Sequence, residues 1–130
     1  MTVLGLDPGT RKCGYAIVTE IDAPPLTLGI APFEALAERL REVLTATPVS
    51  VAAIGRGTNV AAVVAVATAL GLRVELVDER ETTLRARARY FRDHPPRGWR
   101  RLIPRGMLLP DRPVDDYAAL LIAERFLKAS

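Results

Sequence analysis

The sequence predicts an α/β fold in which a meander of three antiparallel strands continues into two β-α-β crossovers, all within one mixed sheet. Two observations carry this prediction. Three short apolar runs, separated by links that contain Pro or Gly, fill the first 30 residues. From residue 32 onward, segments with helical periodicity alternate with further short apolar runs. With 130 residues, 49% of them hydrophobic, the chain is expected to form one domain, residues 1–130, around a sizeable core.

The strands of the meander are predicted at residues 3–6, 14–18 and 26–30. Pro-Gly and Ala-Pro-Pro motifs separate these runs, and such residues favour turns. A helix follows, because Phe33, Leu36 and Leu40 recur at helical spacing among charged residues. It is expected to end before Pro48.

Strand and helix then alternate along the chain. Residues 51–54 form the predicted fourth strand, and either Thr58 or Asn59 can cap a small apolar helix that runs to Gly71. Residues 74–77 form the predicted fifth strand. This order gives the two crossovers.

A third helix follows, capped by Thr82 or Thr83. Residues 94–114 contain five prolines and two glycines, so we expect an irregular loop there. The last helix begins near Pro113, which is tolerated in a first turn, and runs to Leu127. Its polar face is predicted to comprise Tyr117, Glu124, Arg125 and Lys128.

Arginine dominates the basic residues, because only Lys12 and Lys128 are lysines among the 18. Ten arginines lie between Arg80 and Arg112, where only three acids accompany them. The planar guanidinium matches phosphate oxygens, so a folded surface of this kind can bind a nucleic-acid backbone without reading its sequence. A solvated helix face is the alternative interpretation. We expect structured nucleic acid as the partner.

The only cysteine is Cys13 and the only histidine is His94. A disulfide framework and a zinc site built from Cys and His are therefore excluded. This cysteine usage fits a reducing, cytoplasmic location. No apolar run reaches membrane-spanning length, so no membrane association is expected.

Acidic residues occupy three places where elements end or begin: Asp7 after the first strand, Asp78-Glu79 after the fifth strand, and Asp115-Asp116 at the start of the last helix. The carboxyl ends of neighbouring strands in an α/β sheet are where sites form. Carboxylates crowded there repel one another unless a cation is bound, and Mg²⁺ or Mn²⁺ prefers oxygen ligands. Two such ions activate water and stabilise the leaving oxygen of a phosphodiester, so we expect metal-dependent nuclease chemistry.

Each acid also has an interpretation without catalysis. Asp7-Pro-Gly is a turn former, Asp78 and Glu79 can pair with surface arginines, and the two acids of the last helix complement its dipole. Helical periodicity places Asp115 and Asp116 on opposite flanks of the apolar face and does not choose between them.

Three segments of the chain are distinctive together: GLDPGTRKCGYAIV at 5–18, VELVDERETTLRARARYF at 74–91 and VDDYAALLIAERFL at 114–127. They resemble signature segments of the YqgF family, also called RuvX, in the RuvC-like branch of the RNase H superfamily. The resemblance implies an RNase H-like fold with a five-stranded mixed sheet in the order 3-2-1-4-5, flanked by helices. It also implies a site for Mg²⁺ or Mn²⁺ with Asp7, Glu79 and Asp115 as ligands and Asp78 assisting catalysis.

The family is inferred to process the 5′ end of precursor 16S ribosomal RNA and to resolve branched DNA such as Holliday junctions. Both activities are metal-dependent phosphodiester hydrolysis, and the protein is expected to act as a monomer or homodimer. Gly9 would let the backbone approach a phosphate. The candidate nucleic-acid contacts are Thr10, Arg11, Lys12, Arg80, Arg97, Arg100, Arg101 and Arg105.

The chain departs from the family after the fourth strand, where GRGTN replaces the usual Gly-x-Pro turn and carries Arg56. RuvC-type resolvases have a glutamate near this place, and this chain has no acid there, so the fifth strand must supply the second carboxylate. The alternative function is a catalytically weak nucleic-acid-binding scaffold with the same fold. Actin-like phosphotransferases also begin with Asp-x-Gly-Thr, but they need two such domains.

Overall fold

A computed structural model of the chain describes residues 1–78, 82–95 and 115–129. Five strands and four helices lie within these ranges: β1 Val3–Pro8, β2 Lys12–Val18, β3 Thr27–Pro32, α1 Phe33–Ala46, β4 Val51–Gly55, α2 Val60–Ala69, β5 Arg73–Val77, α3 Thr82–Asp93 and α4 Asp115–Ala129. The predicted elements are present, with ends that differ from the predicted ones by one or two residues. The loop predicted at 94–114 lies outside the described residues from position 96 onward.

The strands form one mixed sheet in the order β3-β2-β1-β4-β5. β2 pairs antiparallel with both β1 and β3, whereas β4 pairs parallel with β1 and β5. Short links allow the antiparallel pairs, and α1 and α2 provide the long connections that parallel pairs require. The predicted mixed sheet and its order 3-2-1-4-5 are confirmed.

Helices cover both faces of this sheet. Side chains alternate along each strand, so Leu4 and Leu6 of β1 belong to a core cluster with Leu36 of α1 and Val63 of α2. Val3, on the other face, belongs to a second cluster formed with α4. No helix within the described part of the chain is long and apolar enough to cross a membrane.

Two glycines let α4 lie close to the central strands. A Cβ atom at Gly5 would collide with the carbonyl oxygen of Ala119, and a Cβ atom at Gly14 would collide with that of Asp115. Glycine at these positions therefore allows the backbone of α4 to approach β1 and β2 directly. At Gly14 this contact is with the first two residues of α4.

The predicted polar face of α4 is wrong at two residues. Tyr117 is 3% exposed and Glu124 is 7% exposed, because α3 packs against this side of α4. The Tyr117 hydroxyl donates a hydrogen bond to Asp93 of α3, with an O–O distance of 3.0 Å. The periodicity of α4 alone does not show that a second helix covers these side chains.

Arg89 of α3 is buried with Glu124, so it is not part of an exposed basic surface. Its Nη1 lies 3.0 Å from Oε1 of Glu124, and the backbone N–H of Asp22 donates to Oε2 of Glu124 at 2.7 Å. Arg92, one helical turn further along, pairs with the Asp22 carboxylate at 3.3 Å. Part of the arginine-rich segment is thus used to join α3, α4 and the β2–β3 loop.

Candidate metal and nucleic-acid site

Asp7 lies at the carboxyl end of β1 on the face of the sheet that α4 covers. Alternation along the strand places it on the same side as Val3 and Gly5. It is half-buried, and its register partner on β2 is Gly14. The buried central strand holds this carboxylate at a defined position.

Asp115 begins α4 beside this position. The collision that a Cβ atom at Gly14 would cause involves the Asp115 carbonyl, so the first residue of α4 lies directly over the partner of Asp7. The Asp115 side chain is 32% exposed. Asp116 is 4% exposed, and its Oδ1 accepts a hydrogen bond from the N–H of Tyr117 at 2.9 Å. The structure thus leaves the Asp115 side chain partly exposed and buries Asp116.

The Cys13 thiol is buried in the core cluster that includes Leu4 and Leu6, on the face of the sheet opposite Asp7. Burial is the main cause that raises its pKa to about 12. The negative charge of Asp7 raises the pKa further, a backbone hydrogen bond with Asp7 opposes the rise, and the charge of Asp115 adds to it. Cys13 therefore stays protonated at neutral pH and is not a thiolate nucleophile. The negative charges of Asp7 and Asp115 both affect this thiol.

The turn between β1 and β2 completes this site. A cavity of about 390 Å³ is lined by Gly9, Thr10, Arg11, Lys12 and Asp115. The Lys12 ammonium lies 3.6 Å from Oδ2 of Asp115. Three of the residues predicted to contact nucleic acid, Thr10, Arg11 and Lys12, therefore share one cavity with a predicted metal ligand.

Asn59 also belongs to this site, although the sequence suggests only a helix cap. Its side chain makes no capping hydrogen bond to α2. Instead Nδ2 donates to the carbonyl oxygens of Gly9 at 3.2 Å and Thr10 at 3.1 Å. The parallel pairing of β1 and β4 brings the segment after β4 next to the turn after β1. In the sequence, Asn59 is a single Asn after a Gly-containing turn. This pattern does not distinguish a residue that binds the 9–12 turn from a helix cap.

Asp78 lies elsewhere. It lines a cavity of about 150 Å³ together with Arg85, Arg125 and Lys128, and a second cavity reaches from it to Ala129. These α4 residues are ten or more positions from Asp115, and β4 separates β5 from β1. Two strand spacings are about 10 Å, so Asp78 does not share the cavity at Asp115.

The remaining predicted site residues lie outside the described part of the chain: Glu79, Arg80, Arg97, Arg100, Arg101 and Arg105. Within residues 1–78, 82–95 and 115–129, no group of three or more Asp, Glu, His or Cys side chains could hold a metal ion. Asp7 and Asp115 provide the carboxylate oxygens that a hard divalent cation prefers. Two residues of the described region, Asp7 and Asp115, therefore fit as ligands of Mg²⁺ or Mn²⁺.

Replacing Gly14 with Ala is expected to displace the start of α4 and lower the stability by about 1–3 kcal/mol, the usual cost of overpacking. The physical reason is the collision with the Asp115 backbone. Urea unfolding measures the stability, and an Mn²⁺ titration measures the metal affinity, which a displaced Asp115 should lower. Gly29→Ala is the control, because its Cβ would press on the Tyr15 ring instead. Equal Mn²⁺ affinity in both variants would contradict the prediction.

No protein-family model matches the chain, and no curated protein matches it in sequence. Among solved structures, the chain is similar to Thermus thermophilus RuvC, with 16% identity, a TM-score of 0.58, and coverage of 100% of this chain and 97% of that chain. It is also similar to T. thermophilus RuvC in complex with Holliday junction substrate, with 18% identity, a TM-score of 0.61, and coverage of 100% and 96%. Membership of the YqgF family stays a prediction from the sequence segments. The similarity to RuvC establishes that the chain has an RNase H-like fold.

Proposed function

We propose that the protein is a divalent-metal-dependent nuclease that hydrolyses phosphodiester bonds in branched DNA. One observation carries the proposal: β1 and α4 bring Asp7 and Asp115 together beside a cavity lined by the cationic turn 9–12. Carboxylates that hold a cation next to groups that hold a phosphate are the parts that this reaction needs.

The residues divide into two roles. Asp7 and Asp115 hold the metal, with Glu79 proposed as the third ligand. Asp78 lines a different cavity and is not among the proposed ligands. Thr10, Arg11 and Lys12 bind the phosphate group that lies against the turn. When bound, Mg²⁺ or Mn²⁺ supplies an activated water and stabilises charge on the leaving oxygen. The Lys12 ammonium, 3.6 Å from Oδ2 of Asp115, supports the proposal because it places a cation beside this carboxylate.

Branched DNA is the proposed substrate because one of the similar structures is RuvC in complex with Holliday junction substrate. The YqgF resemblance supports a second substrate, precursor 16S ribosomal RNA, with the same chemistry. The arginine-rich segment fits both, since it binds phosphates rather than bases.

The test incubates the protein with a four-way DNA junction and with a structured RNA, each in Mg²⁺, Mn²⁺ or chelator. Cleavage of the junction that requires metal is the expected result. Preferential cleavage of the RNA would show that the substrate is RNA, as in ribosomal RNA processing, while the proposed reaction stays the same. Tight binding without cleavage in either metal would contradict the nuclease and support the alternative function, a nucleic-acid-binding scaffold.

The combined variant Arg97→Glu, Arg100→Glu and Arg101→Glu is expected to weaken binding of the uncleaved junction and to reduce the salt dependence of its affinity. Arginines that contact phosphates release condensed counterions, so their loss lowers the slope of log affinity against log salt. Fluorescence anisotropy in chelator measures both quantities. Arg41→Glu on α1 is the control, because Arg41 is exposed and already paired with Glu38. Unaltered affinity and slope would remove this segment from the binding surface.

A further inference from the structure

Asn59 adopts a conformation that its own helix does not require. It immediately precedes α2 with φ 60°, in the left-handed region that non-glycine residues rarely occupy. Its carbonyl oxygen starts the helix by accepting from the N–H groups of Ala62 at 3.1 Å and Val63 at 3.3 Å. Its side chain leaves the helix N-terminus uncapped. Local helix stability therefore does not explain the position of this amide.

The amide is used by a turn that lies about 50 positions earlier in the chain. Both of its hydrogen bonds go to adjacent carbonyl oxygens, those of Gly9 and Thr10. An amide NH₂ group has two donors, so one Asn side chain can hold two successive carbonyls at once. This arrangement fixes the orientation of two consecutive peptide groups of the turn.

All four carbonyls of the turn are bound within the protein. Besides the two held by Asn59, the Arg11 carbonyl accepts from the N–H of Phe33 at 3.0 Å, and the Lys12 carbonyl accepts from the N–H of Gly9 at 3.0 Å. None of the hydrogen bonds among the described residues uses the N–H of Thr10 or Arg11. Successive backbone N–H groups in a turn form an anion-binding concavity. Here they belong to residues that line the cavity at Asp115.

We propose that Asn59 is a positioning residue that orients the 9–12 turn as a phosphate cradle. By holding the Gly9 and Thr10 carbonyls, it leaves the N–H groups of Thr10 and Arg11 to a phosphate oxygen of the substrate. The phosphate then lies beside Lys12 and the Asp7–Asp115 pair. This inference rests on the proposed nuclease function and adds a residue from β4–α2 to that site.

Two substitutions test the amide separately from the backbone. Asn59→Gly keeps the left-handed conformation, because glycine adopts it freely, and removes both donors. Asn59→Asp keeps the size of the side chain and replaces the donors with oxygens that repel the two carbonyls. Asp22→Gly is the matched control, since Asp22 also has a positive φ of 64° and lies in the β2–β3 loop.

The readouts are kcat and KM on the cleaved substrate, the melting temperature, and hydrogen exchange of the Gly9 amide. We expect both Asn59 variants to lower kcat about 10- to 100-fold, as a small misplacement of reacting groups does. KM should change less than about threefold, because distributed arginines supply most of the affinity. The Gly9 amide should exchange faster in both variants and at the wild-type rate in Asp22→Gly.

The outcomes separate this inference from the proposed function. Wild-type kcat in Asn59→Gly, with cleavage intact, would overturn the positioning role and leave the nuclease in place. A lower kcat accompanied by a lower melting temperature and by faster exchange throughout the sheet would show that Asn59 has a purely structural role. Absence of cleavage by the wild-type protein in every metal would overturn the proposed function and the positioning role with it.

Discussion

Asp7→Asn is expected to abolish metal-dependent cleavage while the protein stays folded. The substitution keeps the shape of the side chain and removes one of the two carboxylates that the structure brings together at the end of β1 and the start of α4. Loss of outer-sphere partners of a metal typically costs 10- to 100-fold, so loss of a direct ligand should lower the cleavage rate more than about 100-fold.

The same substitution also tests metal binding without a cleavage assay. Added Mn²⁺ should raise the melting temperature of the wild type, because it binds the folded state, and should raise that of Asp7→Asn less.

Cleavage assays and thermal unfolding with and without Mn²⁺ measure these effects. Glu38→Gln is a suitable control, since Glu38 is an exposed acid on α1 and pairs only with Arg41 among the described residues. Cleavage by Asp7→Asn at the wild-type rate would show that the metal site lies elsewhere.

Arg89→Met is expected to destabilise the protein by about 3 kcal/mol, because it leaves the buried Glu124 carboxylate without its cation. After the substitution, Glu124 keeps the hydrogen bond from the Asp22 N–H. One neutral donor does not replace a charged guanidinium, whose Nη1 lies within 3.2 Å of both carboxylate oxygens. The effect should appear as a lower urea midpoint with an unchanged slope.

Two further variants test the cause of this loss. Arg92→Met breaks an ion pair whose side chains are more than half exposed, and it should cost less than about 1 kcal/mol. The double variant Arg89→Met and Glu124→Leu should cost much less than the two single losses combined, since it removes both charges. The Arg89 Nε finds no hydrogen-bond acceptor in the described region, so the native pair is itself incompletely satisfied. Equal losses for Arg89→Met and Arg92→Met would contradict this account.

Local patterns in the sequence predict the strands and helices and their order along the chain, whereas the strand order 3-2-1-4-5 is implied by the resemblance to the YqgF family. The change from short apolar runs to helical spacing at residue 32, together with short Pro- and Gly-containing links, predicts the meander and the two crossovers that the structure contains. The same patterns place Asp7 at the end of a buried strand. These features are predictable because strand and helix periodicities and turn chemistry act between residues that are close in the sequence.

Contacts between distant residues decided the rest. Whether Glu124 and Tyr117 are buried depends on α3, whose Arg89 lies 35 positions before its partner Glu124. The different burial of Asp115 and Asp116 depends on how α4 packs against the sheet, where Gly14 of β2 lets the helix backbone approach closely.

Asn59 shows, in one residue, the difference between what local sequence predicts and what tertiary contacts decide. Its type and its place before an apolar helix predict a cap, and the sequence by itself determined that a polar side chain would stand at the end of β4. Only the parallel pairing of β4 with β1 brings the turn after β1 within reach, so that the amide binds Gly9 and Thr10 instead. Sequence patterns determined the elements and the chemistry of their ends, whereas tertiary structure decided which of those ends meet, because hydrogen bonds and charges select partners by distance in space.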